Sequence, residues 1–267
     1  IRLQNDIYKL RSSFITEILL PNDVQLDNIK TEKINEDYHY KFQSGFFQGV
    51  IVKIDCEYED LSKIVNILNG KIKQILCMHL TPECFDMELY FKNSRAYCIL
   101  NYAVENQKNI RKKLRTCLEE ILHQKSLMQN IEFTMGIGAA SESICQLRKS
   151  LKMAEWAVMQ RLIDGTGKLI DGTEQEYSVK LDDIMADFIK EMEASLEILD
   201  TNGICTAINS LKEQVLDKPG IVGQQIFRLA LDICSIYLML LRNYQYYTEN
   251  MTGFYENFYE RANLCSS

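Results

Sequence analysis

The sequence predicts an α+β chain: a βαββαβ antiparallel-sheet domain, preceded by an amphipathic helix and followed by a helical bundle. Three observations carry this. From Phe46 to Gly138, β-branched and aromatic runs alternate with helical stripes in the order β-α-β-β-α-β. After Gly172 the strand-like runs stop and apolar residues fall at helical spacing. The 267 residues include only three prolines, Pro21, Pro82 and Pro219, which leaves room for long helices.

Residues 1–20 read as a helix, because Leu3, Ile7, Leu10, Phe14 and Ile18 form a stripe close to heptad period that Pro21-Asn22-Asp23 ends. Residues 24–45 are polar and less regular, with a short helix expected near Val24 to Ile34. Phe46 to Asp55 is β-branched and aromatic, a strand. Leu61, Ile64, Val65, Leu68, Ile72 and Ile75 fall on one helical face. Phe85–Phe91 and Ala96–Tyr102 are the arms of a hairpin with the polar tip Lys92-Asn93-Ser94-Arg95. Ile110, Leu114, Cys117, Leu118 and Ile121 mark another helix, and Ile131 to Gly138 another strand. Ser143 with Gln146 fits a capping box that opens a helix carrying Leu147, Leu151, Ala154 and Val158. Lys168-Leu169-Ile170 closes the unit as a short strand. This is the split βαβ plan, with two helices on one face of an antiparallel sheet.

Beyond it, Ile184, Phe188, Met192, Leu196 and Leu199 run at helical spacing, and Asn202-Gly203 reads as a turn. A second helix runs from Ile204 to Val215 and ends at Pro219-Gly220. Residues 222–242 are apolar nearly all round, the pattern of a buried central helix. Phe254, Tyr255, Phe258 and Tyr259 mark a last one. The expected divisions are 1–22 for the linker helix, 23–175 for the α/β domain and 176–267 for the helical domain.

Composition narrows the function. With 46% hydrophobic and 25% charged residues, the chain is of ordinary globular make-up. A net charge of −7 and the lack of a dense basic surface argue against direct nucleic-acid binding. The longest apolar stretch, Ile233 to Leu241, is bounded by Asp232 and Arg242 and is short of the ~20 residues a bilayer span needs. No membrane is expected, and with no signal peptide visible the expected location is cytoplasmic. The first residue is Ile1 and the chain opens inside an amphipathic pattern, so it reads as a piece of a longer polypeptide.

Nine cysteines, an odd number with no CxxC pair, read as free, mostly buried thiols. His39, His79 and His123 are scattered with no ligand spacing, so no metal is expected. Gly165-Thr166-Gly167-Lys168 fails as a phosphate loop, because Leu162 and Leu169 stand where it needs glycine and Ser or Thr. Gly136-Ile137-Gly138 lacks the third glycine of a dinucleotide loop and reads instead as a strand end passing close to a helix. Arg111, Lys112, Lys113 and Arg115 read as a solvated helix face, with an anion site as the alternative. Asp55 ends the first strand, and one acid alone makes no metal site.

Phe133-Thr134-Met135-Gly136-Ile137-Gly138, the following helix with Ala154-Glu155-Trp156-Ala157, then Arg161-Leu162-Ile163 and Gly165 to Lys168, resemble the degenerate GGDEF-like domain in the middle of YesN-type, AraC-class response regulators. They are similar also to CdaR-type regulators. The helix Leu10–Leu20 resembles the one that follows the receiver domain in these proteins, and Val52-Lys53-Ile54-Asp55 their first strand. The likeness covers about residues 1–172. In such regulators a receiver precedes this region and an AraC helix-turn-helix pair follows it, and neither is in this chain. Catalytic GGDEF domains make cyclic di-GMP with glycines and Mg²⁺-binding acids at the hairpin tip. Here that position falls on Lys92, Asn93, Ser94, Arg95 and Ala96, with both glycines gone and the acids replaced by a hydroxyl and a cation. Asp55 alone is left as a vestigial metal-acid position. The resemblance therefore implies the fold without the chemistry: no catalytic residue, no cofactor and no metal. It implies a relay and dimerisation region of a two-component transcriptional regulator, a homodimer pairing through Leu3, Ile7, Leu10 and Phe14, which reaches DNA through a domain outside this chain. A rival reading docks the N-terminal helix on its own sheet. The alternative functions are a sensor for an unknown small molecule or nucleotide and, less favoured, a residual nucleotidyl cyclase.

Overall fold

The computed structural model describes residues 2–21, 29–56, 58–124, 131–174, 179–246, 251 and 253–265. The chain is mixed α/β with a five-stranded, mostly antiparallel sheet. It divides into two compact units, residues 1–174 with 264–267, and residues 175–263. The boundary expected at 175/176 falls at residues 175–178, outside the described ones.

In the first unit the helices are α1 (Arg2–Ser13), α2 (Thr31–Tyr38), α3 (Tyr58–Leu80), α4 (Gln107–Gln124), α5 (Leu147–Met159) and α6 (Arg161–Asp164). The strands are β1 (Phe46–Cys56), β2 (Asp86–Lys92), β3 (Arg95–Tyr102), β4 (Ile131–Ile137) and β5 (Leu169–Asp171). The sheet order is β2-β3-β1-β4-β5, with only β4 and β5 parallel. β1 sits at the centre, so both its faces are covered and Phe47–Cys56 is buried throughout.

Strand alternation sorts side chains into two layers. Val50, Val52, Ile54, Cys98, Leu100, Phe133 and Met135 meet Leu68, Ile72 and Leu76 of α3 and Ile110, Leu114 and Cys117 of α4. Phe47, Ile51, Tyr97 and Ile99 meet Leu147, Leu151, Ala154 and Val158 of α5, together with Phe14, Ile15 and Leu19 from the N-terminal segment. The side chains of Leu61, Ile64 and Val65 lie outside the described residues.

Several local expectations change. The short helix expected near Val24 to Ile34 is α2, which starts at Thr31, while residues 22–28 lie outside the described ones. Ser143 makes no side-chain cap; a 3₁₀ turn over Ile144–Gln146 leads into α5 instead. Gly136 and Gly138 do allow close approach: a Cβ would stand 2.3 Å from the Ala154 carbonyl and 1.9 Å from that of Ser150.

In the second unit α7 (Asp182–Glu197), α8 (Thr201–Leu216), α9 (Gly223–Asn243) and α10 (Phe254–Ala262) follow. Asn202 and Gly203 belong to α8, because Asp200 caps its N-terminus by accepting from the Asn202 N–H at 3.0 Å. The turn lies just before, where Leu199 takes φ 55°. α9 is long and apolar enough to cross a membrane by length and composition, and 33% of that window is buried. Its buried face, with Leu229, Leu240 and Leu241, joins Phe188, Met192 and Leu211 in this unit's core, while Met239 is exposed. It is thus a half-covered helix rather than a fully enclosed one.

Candidate functional site

β1 carries two charged residues, Lys53 and Asp55, in an otherwise apolar run, and two-residue alternation puts both on the α5 face. Each is buried, at 0% and 1% exposure. Arg161, at the start of α6, is equally buried and donates from Nε to Asp55 Oδ2 at 2.7 Å. Its other nitrogens donate to the carbonyls of Val158 at 2.9 Å and Cys265 at 2.8 Å. Lys53 Nζ stands 3.0 Å from Asp55 Oδ1 and donates to the Ile54 carbonyl at 2.6 Å and Ser94 Oγ at 2.7 Å. One carboxylate therefore lies between two cations in a buried interior.

The neighbours add more charge. Arg95 stands opposite Lys53 in the β1–β3 register and pairs with Glu155 of α5 at 3.0 Å. Glu132 and Thr134 of β4 stand opposite Asp55 and Lys53. Burial pushes the Lys53 ammonium down to about 7; Asp55 opposes this, and Arg161 adds to it.

The hairpin tip is a two-residue turn in which Asn93 adopts φ 54°, a conformation asparagine tolerates. Lys92 and Asn93 are exposed, Arg95 is half-buried, and Ser94 and Ala96 are buried. Ser94 and Asp55 thus belong to one hydrogen-bonded cluster through Lys53. Sequence reasoning paired Asp55 with the tip but missed Lys53 and Arg161. Lys53 was legible as a cation in an apolar strand; Arg161 is 106 positions away from Asp55, and nothing local announces the pair.

This donor set does not fit Mg²⁺. Both Asp55 oxygens face cations, and the tip offers a hydroxyl in place of a second carboxylate. Among the described residues no cluster of three or more His, Cys, Asp or Glu could hold a metal ion. His79 does meet a carboxylate, Glu120 Oε1 at 2.7 Å, across α3 and α4.

The N-terminal stripe separates. Phe14 is buried in the unit's own core, against Tyr38 and Tyr40. Leu10 is 36% exposed and Ile7 half-buried, while the Leu3 side chain lies outside the described residues. Arg11 fastens this helix to β2. It makes a two-pronged pair with Asp86 at 2.8 and 3.0 Å, meets Glu88, donates to the carbonyls of His39 and Met87, each at 2.9 Å, and lies 4.2 Å above the Tyr40 ring. From the other side Arg148 of α5 donates to the carbonyls of Ile18 and Leu19. Both arginines have distant partners, 75 positions away for Asp86 and 129 for Leu19, so no local pattern announces them.

In the basic run, Arg111 pairs with Asp171 of β5. With Gln48, Gln107, Lys108, Leu114 and Ile137 it lines a cleft of about 180 Å³. Compared with protein-family models, curated proteins and solved structures, the chain matches none.

Proposed function

We propose that this chain is a non-enzymatic relay and dimerisation region of a cytoplasmic two-component transcriptional regulator, with a GGDEF-like α/β unit that has lost nucleotide chemistry. The observation that carries the reading is the Lys53–Asp55–Arg161 cluster. Phosphoryl transfer needs cations held on carboxylates at the reacting end of the sheet. At the corresponding position the carboxylate is consumed by two side chains of the protein itself, and the tip ends in Ser94 and Arg95. The docked N-terminal helix supports a mechanical role, because Arg11 and Arg148 join it to both β2 and α5. DNA would be reached through another part of the regulator.

The test is direct. The purified chain, given GTP with Mg²⁺ or Mn²⁺, should form no cyclic di-GMP. Product that disappears on Asp55→Ala would overturn the reading. Sensing of a small anion is the second reading, favoured by Lys108 and Arg111 at the cleft. It ranks lower because the cleft, at about 180 Å³, is smaller than the ~300–1,000 Å³ typical of ligand pockets.

A further inference from the structure

The N-terminal segment changes helical step in mid-course. α1 ends at Ser13, and Phe14–Leu19 continues as a π-helix, with the Leu20 N–H donating to the Ile15 carbonyl at 2.9 Å. Such turns are rare and act as one residue inserted into an α-helix. Here the insertion lets Phe14 and Leu19, five positions apart, both reach the core beside Ile15. Hydroxyls serve the carbonyls where the ladder changes its step: Ser13 Oγ donates to the Leu10 carbonyl at 2.8 Å, and Thr16 Oγ1 lies 3.3 Å from that of Ser12. The Ser12 hydroxyl is buried with no partner, a cost of this register. The docked register is held from outside itself, by Arg11 on Asp86 and Glu88 and by Arg148 on the Ile18 and Leu19 carbonyls.

The same residues in unbroken α register give a different surface. With Leu19 left seated, loss of the inserted step turns everything upstream by about 100°. That takes Arg11 away from Asp86 and Glu88 and lifts Phe14 out of the core. It also aligns Leu3, Ile7, Leu10, Phe14 and Ile18, spaced four, three, four and four, as one continuous stripe. A stripe near heptad period fits a second copy of itself.

The geometry points to a two-state switch in residues 1–20: a π-register helix latched on its own sheet by Arg11, and an α-register helix that pairs with the same segment of a second copy of this chain. This rests on the relay reading, and supplies the motion by which rotation of the helix would be passed on. The latch keeps Phe14 covered; its release exchanges that intramolecular contact for an intermolecular one.

The test compares association by sedimentation equilibrium for the wild-type chain, Arg11→Ala, Asp86→Asn and a chain lacking Thr16. Either latch variant should dimerise at about tenfold lower concentration while melting cooperatively, the loss expected for one charge-assisted cluster. Deleting Thr16 puts Phe14 and Leu19 four apart, so an α-helix can seat both without the extra step. That chain should stay docked, and should cancel the gain when combined with Arg11→Ala. Folded latch variants with unchanged association would overturn the switch, as would a Thr16-deleted chain that still responds to Arg11→Ala. If Leu10→Glu weakens a wild-type dimer while Arg11→Ala changes nothing, the switch fails and the relay reading stands. If wild type and Arg11→Ala both stay monomeric at high concentration, both fall.

Discussion

Lys53 is a buried cation beside a second buried cation, and its behaviour should depend on pH. Its folded-state pKa lies near 7 against an ordinary 10.5. Between those values the unfolded chain holds a proton the folded chain lacks, so stability rises as pH climbs from about 7 toward 10.5. Below 7 both states are protonated and the cost of the buried charge is present in full. Lys53→Met keeps the Asp55–Arg161 pair and removes that cost. The variant should be at least as stable as the wild type at pH 6, with its advantage shrinking toward pH 9–10; equal urea midpoint differences at both ends would count against the depressed ammonium. Arg161→Met acts oppositely, taking Nε from Asp55 and leaving the Val158 and Cys265 carbonyls without that donor. It should cost about 3 kcal/mol at pH 7, the penalty for breaking a buried ion pair from one side.

At the scale of elements, the seat of α5 on β1 and β4 is set by missing side chains. Gly138 passes so near Ser150 that any Cβ displaces the helix, and in the same contact the Gly49 N–H donates to Ser150 Oγ at 2.8 Å. Gly136→Val should therefore destabilise the first unit by at least 2–3 kcal/mol, the upper range for overpacking, in a urea titration. This much was legible in Gly136-Ile137-Gly138, as were the hairpin arms, the stripe of α4 and the Leu68, Ile72 and Ile75 part of that of α3, because strand and helix periods survive without tertiary context. Less was legible where one local pattern serves two ends. Leu3 to Ile18 has the same spacing whether it meets a partner or its own sheet, and only the burial of Phe14, Ile15 and Leu19 distinguishes them here. Asn202-Gly203 has turn composition, yet Asp200, two positions before Asn202, supplies the cap and draws both residues into α8. For the candidate site, Asp55 and the tip could be named from sequence, whereas its cations come from a neighbouring strand position and a distant helix start.

At the scale of the molecule, each unit has its own apolar core, one around the sheet and one around Phe188, Met192 and Leu211. The junction 172–178 is polar and falls between them, so limited proteolysis should cut there first. Early cuts inside 46–170 would contradict the two-unit division.

The chain's end returns to the first unit. Leu264 is buried in the core under the sheet, and the Cys265 carbonyl is held by Arg161. Residues 174 and 264 both belong to the first unit, so the stretch between them leaves that unit and returns to it as a loop of roughly ninety residues. A loop fixed this way gains less freedom on unfolding than a chain with one loose end, the logic by which a crosslink stabilises what it encloses. Arg161 therefore holds the Asp55 carboxylate and the returning end of that loop at once, with one side chain.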